Sequence, residues 1–526
     1  MHKREFLSVL GLGVGATAIT TRPARAAAPL STSGVLNVRD LGASGDGSRL
    51  ETEKLQAAID ICARAGGGAV YFPPGAYLSG TLFLKSQVTL HLESGATLLG
   101  SRDLKDYPST IPAIRSYTDN YTERSLIYAE DQQNISLEGR GTIDGQGAAF
   151  KGEYKVRPYL IRIINCRDVA VRDLTIKDSP MWVQHYLACD GVLIDGITVR
   201  SRCNGNNDGI DIDGCERVRI ANCDISSGDD AIVLKSTLDR PCKNVVVTNC
   251  VLSSACNAFK LGTESNGGFA NIALSNCTIY DTRIAGLALE LVDGGTLERV
   301  TISNVAMHNV NGAIFIRLGN RARPFKEGMA KPAQGRLRGV HISHVHSIGA
   351  NKTGCSITGL PGAPAEDISL SDVRITFAGG GSEEDARKPV AELPEKYPEY
   401  SMFGVLPAYG FFCRHVRGLR LSDVRLDCAQ PDERPSLICE DVEDLELFGW
   451  QGTMASKADP SIHFNEVKAA LIHGCRSPSG VAAFLRVDGK GSEKIRLLAN
   501  DLSGAQKAIE FGPGVPDQAV IQRDGA

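Results

Sequence analysis

Val218-Arg-Ile-Ala-Asn222-Cys, Val245-Val-Val-Thr-Asn249-Cys, Ile272-Ala-Leu-Ser-Asn276-Cys and Val300-Thr-Ile-Ser-Asn304-Val are copies of one short unit. Their asparagines, at 222, 249, 276 and 304, are 27, 27 and 28 residues apart. Weaker copies extend upstream (Val169–Asp173, Val192–Gly196) and downstream (Ile342–His344, Ile368–Asp372, Leu419–Asp423, Leu445–Gly449, Leu471–Gly474). Each unit offers two or three short β-branched strands between polar turns, and no useful helical period occurs between 125 and 500. A strand-only repeat of this size cannot bury its apolar face alone, so successive coils must stack edge to edge. The expected fold is an all-β, single-stranded right-handed parallel β-helix. Leucine-rich repeats are excluded by the missing leucine signature and helix, and a propeller needs blades of ~40 residues or more. Asparagine suits the repeated turn because it tolerates the left-handed conformation, and its amide reaches the neighbour one coil away.

Outward from the repeat, a second periodic feature appears. Gly209–Ile212, Ala231–Leu234, Ala258–Leu261, Gly286–Leu289 and Ala313–Ile316 read as stacked rungs of one sheet. Alternation sends Ile210, Ile232, Phe259, Leu287 and Ile314 inward, together with Ile212, Leu234, Leu261, Leu289 and Ile316. The outward columns are Gly209/Ala231/Ala258/Gly286/Ala313, read as a flat floor for a ligand, then Asp211/Val233/Lys260/Ala288/Phe315, then Asp213/Lys235/Gly262/Glu290/Arg317. In these columns Lys235 is expected to neutralise Asp213, and Arg317 can pair with Glu290.

The chain has 526 residues, 42% hydrophobic and 22% charged, with a formal net charge of −4, so nothing points to a nucleic-acid or membrane surface. Residues 1–26, with Lys3-Arg4-Glu5-Phe6-Leu7, an apolar run and Ala24-Arg25-Ala26, resemble a twin-arginine export signal whose first arginine is lysine. An exported protein, periplasmic or extracellular and monomeric, is expected. No later segment is apolar enough to cross a bilayer. Of the 15 cysteines, Cys223, Cys250 and Cys277 follow the repeat asparagines, so they are expected to stack as small buried hydrophobes. No CxxC or His–Cys spacing suggests zinc, and neither metal nor cofactor is expected.

The β-helix domain is expected over 35–515, with an amphipathic N-terminal capping helix over Thr52–Ala65 that buries Leu55, Ala58, Ile59 and Cys62 and ends at Gly66-Gly67-Gly68. The period breaks near 318–338 and 378–412, where insertions should project beside a binding face. The second insertion holds Tyr397, Tyr400, Tyr409, Phe411 and Phe412, aromatic enough to meet sugar rings or to pack on themselves.

Asp208 precedes one rung and Asp230 the next, with Asp229 beside them. Coils ~4.8 Å apart crowd these carboxylates, and like charges raise at least one pKa. One protonated and one ionised acid is what glycosidic cleavage requires. A structural Asp-turn ladder and a calcium site are the competing readings.

Asn207-Asp208-Gly209, Gly228-Asp229-Asp230, the early Leu41-Gly42-Ala43-Ser44-Gly45-Asp46-Gly47 segment and the coil spacing together resemble the polygalacturonase family, glycoside hydrolase family 28, over about residues 36–350. The resemblance implies an inverting hydrolase with Asp229 as general acid and Asp208 and Asp230 activating water. It also implies departures. The family's Gly-His-Gly falls on Cys256-Asn257-Ala258, and its Arg-x-Lys, which holds a galacturonate carboxylate, falls on Ala288-Leu289-Glu290. Candidate substrate contacts are Asn207, Asn257, Lys260, Trp182, His185, Glu290 and Arg317, with Glu264 in reserve. The expected function is a polygalacturonase-type glycosidase acting on a pectic or related acidic polysaccharide or oligosaccharide, and not a typical homogalacturonan hydrolase. A polysaccharide lyase on the same solenoid, and a carbohydrate-binding protein without turnover, are the alternatives.

Overall fold

The computed structural model describes residues 34–115, 122–153, 156–454, 460–516 and 518–523. The export-signal segment 1–26 lies outside them. Every strand pairing between successive coils is parallel, and most coils contribute three strands. The architecture is the right-handed parallel β-helix read from the repeat, and its strands run from Val35–Asn37 to Val520–Arg523, a little past the expected limit at 515.

The rungs stack in the register expected from the sequence. Ile210 pairs with Ile232, Ile232 with Phe259, Phe259 with Leu287 and Leu287 with Ile314. All five lie in one continuous core at 1% exposure or less, because each coil supplies the apolar partner its neighbour lacks. Asn222, Asn249, Asn276 and Asn304 all adopt positive φ, 55–57°. The side chain of Asn249 donates to Asn222 Oδ1 at 3.3 Å, and that of Asn304 to Asn276 Oδ1 at 3.1 Å. A second column uses the same device, with Asn271 Nδ2 donating to Asn244 Oδ1 at 2.7 Å. Cys223, Cys250 and Cys277 stack behind the first column at 2% exposure or less, and all fifteen cysteines are free thiols.

An α-helix, Thr52–Arg64, lies across the first strands and buries Leu55, Ala58, Ile59 and Cys62, as its period predicted. A single helical turn, Glu383–Ala386, closed by a Ser382–Asp385 capping box, is an element the periodicity did not foresee. The insertions fall between the strands ending at Leu318 and beginning at Arg336, and between those ending at Phe377 and beginning at Phe411.

One expected surface is absent. Ala231, Ala258 and Ala313 are fully buried in the main core. A Cβ on Gly209 would meet Ala231 O at 2.5 Å, and one on Gly286 would meet Met307 Sδ at 2.8 Å. These small residues are packed tightly against interior neighbours, so they form no floor.

Candidate active site

The turns preceding successive rungs hydrogen-bond in series. Val183 N donates to Asp208 O at 2.8 Å, Gly209 N to Asp230 O at 2.8 Å, and Ala231 N to Asn257 O at 2.8 Å. Asp208, Asp230 and Asn257 therefore occupy equivalent places one coil apart, with Asp229 on the solvent side of Asp230. Asp208 and Asp230 are 4% and 3% exposed, whereas Asp229 is half-buried.

Their environments push the acids apart. Burial and the neighbouring Asp230 raise the Asp229 carboxyl above the usual range. Burial would raise Asp230 as well, but Lys260, Lys235 and the Asn257 side chain outweigh it and hold this acid below its ordinary value. Lys260 Nζ lies 3.3 Å from Asp230 Oδ2, and Asp230 Oδ1 accepts from Asn257 Nδ2 at 2.8 Å and Asn257 N at 3.1 Å. Burial, then Asp229 and Asp211, push Asp208 well up, and its Oδ1 has no hydrogen-bond partner. The two adjacent carboxyls are thus shifted in opposite directions, Asp229 toward its protonated form and Asp230 toward its charged one, the division that an acid and a base in one site require.

The next rungs form a chain of committed charges. Lys235 lies 3.7 Å from Asp211 and 3.5 Å from Glu264, and Lys260 reaches Glu290 at 3.7 Å. The expected Lys235–Asp213 pair does not form. Asp213 instead accepts from Thr237 N at 2.9 Å and Thr237 Oγ1 at 2.6 Å, with His185 Nε2 at 3.5 Å. Nor does Arg317 pair with Glu290. At 1% exposure, Arg317 donates to Thr358 Oγ1 at 3.2 Å and to the carbonyl of Glu392 at 2.7 Å, so it fastens the second insertion.

Several predicted substrate contacts prove to be internal. Asn207 is fully buried and donates to the carbonyls of Ser179 and Met181 at 2.8 and 3.0 Å, shaping the turn that presents Asp208. Asn257 is fully buried too, and its Oδ1 accepts from Ala285 N at 3.1 Å, so it orients Asp230. His185 pairs in register with Asp211 one coil before Asp230's and is fully buried, with Nδ1 unpartnered. Trp182 is 4% exposed, packs between Tyr159 and His185, and carries Lys235 Nζ 4.8 Å above its ring. Glu290 is fully buried with both oxygens lacking hydrogen bonds, and burial drives its carboxyl well up.

The insertions add residues the rungs did not announce. Tyr397, 49% exposed, places its hydroxyl 3.5 Å from Lys260 Nζ. Glu399 is held above its ordinary range by burial, and its charge is felt by Lys260, Asp230 and Asp229. From the first insertion, Arg321 grips Asp293 and Arg323 donates to Glu264 at 2.7 Å. The period breaks at 318–338 and 378–412 located these insertions, but no local signal marks which of their side chains fold back over the rungs. Tyr400, Tyr409, Phe411 and Phe412 are buried, so of the insertion's predicted aromatics only Tyr397 is open to a ligand. Ligand atoms of Asp229, Asp230 and Cys256 lie within 4.8 Å of one another, a spacing that could hold a metal ion. Lys260 already supplies positive charge at that point, and burial with two carboxylates raises the Cys256 thiol far from its metal-binding form.

The model of the glycosyl hydrolases family 28 matches residues 69–392. A probable polygalacturonase from Vitis vinifera is 36% identical over 218 residues, covering 38% of this chain and 44% of its own length. An exo-poly-alpha-D-galacturonosidase from Dickeya chrysanthemi is 28% identical over 251 residues, again covering 38% of this chain, and 41% of its own length. The match thus spans less than half of either relative. Among solved structures, the family 28 exopolygalacturonase of Yersinia enterocolitica superposes with a TM-score of 0.63 at 19% identity, covering 79% of each chain. The Thermotoga maritima exopolygalacturonase gives 0.61 at 23% identity, over 75% of this chain and 91% of its own, a likeness of fold.

Proposed function

This chain belongs to glycosyl hydrolases family 28, and on that premise we propose that it hydrolyses α-glycosidic bonds in a pectic or related acidic polysaccharide by an inverting mechanism. The observation that carries the reading is the divergence of the adjacent acids. Asp229, raised by burial and by Asp230, keeps a proton to give to the leaving glycosidic oxygen. Asp230, favoured in its charged form by Lys260 and Asn257, activates a water for attack on the anomeric carbon, and Asp208 one coil away positions that water. The bond to the leaving oxygen breaks as the water oxygen bonds to carbon, and the water's proton passes to the carboxylate.

The substrate is not typical homogalacturonan. A uronate carboxylate needs a cation to hold it. Lys235, Lys260, Arg321 and Arg323 are each within ion-pair distance of buried or partly buried carboxylates of the protein itself. Arg317 is occupied by the second insertion, and Ala288 and Glu290 bring no positive charge. These commitments support a sugar at the cleavage point other than a free galacturonate.

The test is to follow reducing ends over a panel of polysaccharides and to read the anomeric configuration of the first product. Inverted product from a pectic polymer, with activity lost in Asp229→Asn, is expected. Net retention would overturn the roles of Asp208 and Asp230 in activating water.

A further inference from the structure

We infer, resting on the hydrolase reading above, that the sugar whose glycosidic bond is cleaved is itself uncharged, a neutral unit within or appended to the acidic polymer, and that Glu399 of the second insertion enforces this choice. The inference follows from where the charges around Asp229 and Asp230 lie. Each lysine there stands between two protein carboxylates. Lys235 is 3.7 Å from Asp211 and 3.5 Å from Glu264, and Lys260 is 3.3 Å from Asp230 and 3.7 Å from Glu290. Arg323 is 2.7 Å from Glu264 and 3.5 Å from Asp293, which Arg321 also holds. These four cations are therefore compensated within the protein. Asp208, Asp229 and Glu399, by contrast, form no ion pair among the described residues, and both oxygens of the fully buried Glu290 lack hydrogen bonds.

Glu399 is held in this neighbourhood from both sides. Before it, Tyr397 Oη lies 3.5 Å from Lys260 Nζ. After it, Tyr400 packs with Ala285, Ala288 and Phe315 and accepts from Asn351 Nδ2 at 2.6 Å, while Met402 N donates to Glu399 O at 2.8 Å. The Glu399 side chain keeps one buried oxygen, Oε2, without a hydrogen-bond partner. Of the carboxyls named above, only Asp229 and Glu399 are half-buried rather than buried, so these two are the ones a ligand can touch. Arg283, exposed beside them, donates to Ala255 O at 2.5 Å. Its charge and that of Lys260 draw the Glu399 carboxyl down, but burial with Asp230 and Asp229 outweighs them and holds it above its ordinary range.

A site that disfavours charge on its own carboxyls disfavours a further carboxylate on a ligand for the same two reasons, lost hydration and like charge. A uronate placed against Asp229 and Glu399 meets both costs. A neutral sugar meets neither, because its hydroxyls donate as well as accept and can bond a carboxyl in either protonation state. Tyr397, 49% exposed, adds a surface that needs no charge on the ligand. Lys260 Nζ and Arg321 Cζ lie 5.6 and 5.5 Å from its ring centroid and fix the ring in place.

Two measurements test this. The first reduces the products of the wild-type protein on a polysaccharide panel with borodeuteride and identifies the labelled unit, which is the sugar that carried the broken bond. A neutral sugar is expected. A uronic acid there overturns the inference while leaving the hydrolase reading intact. The second titrates Asp229→Asn calorimetrically with digalacturonate, its dimethyl ester and neutral disaccharides. The ester should bind at least ~10-fold more tightly than the free acid, and adding Glu399→Gln should narrow that gap. Free acid bound as tightly as the ester overturns the inference, and a gap unmoved by Glu399→Gln overturns the part assigned to Glu399. Absence of hydrolysis on every polymer removes the hydrolase reading, and the titration still decides the charge preference. Absence of binding to every disaccharide overturns the inference as well.

Discussion

Asp229 differs from Asp230 through what surrounds each carboxyl. Both are drawn up by burial, but only Asp230 receives an ammonium at 3.3 Å and two donors from Asn257. Activity should therefore fall as pH drops through the depressed Asp230 pKa, below 3.8, and as it rises through the elevated Asp229 pKa, above 3.8. Asp229→Asn is expected to lower kcat by at least ~10²-fold, the usual contribution of a general acid. Asn257→Ala removes the donors' orientation and part of the depression, so the acid limb of the kcat/KM profile should move upward in pH with KM little changed. A fall in activity with an unmoved limb would assign Asn257 a merely structural part. Asp208 carries a different prediction. Its folded pKa is raised, so its contribution to stability is present below the unfolded value and lost as pH rises through the folded one. Asp208→Asn should abolish most activity yet raise Tm at pH 7, with the gain absent below a pH of about 4, where the native carboxyl is protonated in both states. The Asp-Gly and Gly-Asp-Asp motifs were legible in the sequence. The roles of Asn207, Asn257 and Arg317 were not, because a polar side chain near a motif reads the same whether it faces a ligand or a backbone carbonyl.

At the scale of elements, each rung is held by inward side chains stacked coil on coil. Leu261 is fully buried between Leu234 and Leu289, so Leu261→Ala should cost about 2–5 kcal/mol in a denaturant titration. The turn columns contribute less per residue. Asn249→Ala loses the bond to Asn222 and places alanine at φ 55°, for an expected cost of about 1–3 kcal/mol. The insertions behave differently, because they are tied by side chains to coils and belong to no ladder of their own. Arg317→Ala should leave the solenoid's circular dichroism unchanged and make residues 390–404 susceptible to limited proteolysis. Strand alternation correctly assigned inward and outward columns within the rungs. It failed at Gly209, Ala231, Ala258, Gly286 and Ala313, which pack closely against interior neighbours, so alternation alone does not tell a small outward residue from a buried one.

At the scale of the molecule, stability in a solenoid is a sum over coils and their neighbour contacts, so the ends open first. The N-terminal end is covered by the helix Thr52–Arg64, whereas Ala505–Phe511 in the last coils is exposed or half-buried throughout. Hydrogen exchange should be slowest across the rungs between 210 and 318 and fastest beyond 500. Protection that is uniform along the chain would show a single cooperative unit. The sequence by itself determined the parallel β-helix, its coil length, its left-handed asparagine turns and the stacking of Asp208 on Asp230, since all follow from residues whose partners lie one repeat away. Only the tertiary structure decided which acid is shifted up and which down, where Lys235, Lys260 and Arg317 spend their charge, and that Tyr397, Glu399 and Tyr400 fold back onto the rungs. Those outcomes depend on contacts between segments up to about 140 residues apart, Lys260 with Tyr397 among them, which no period in the chain encodes.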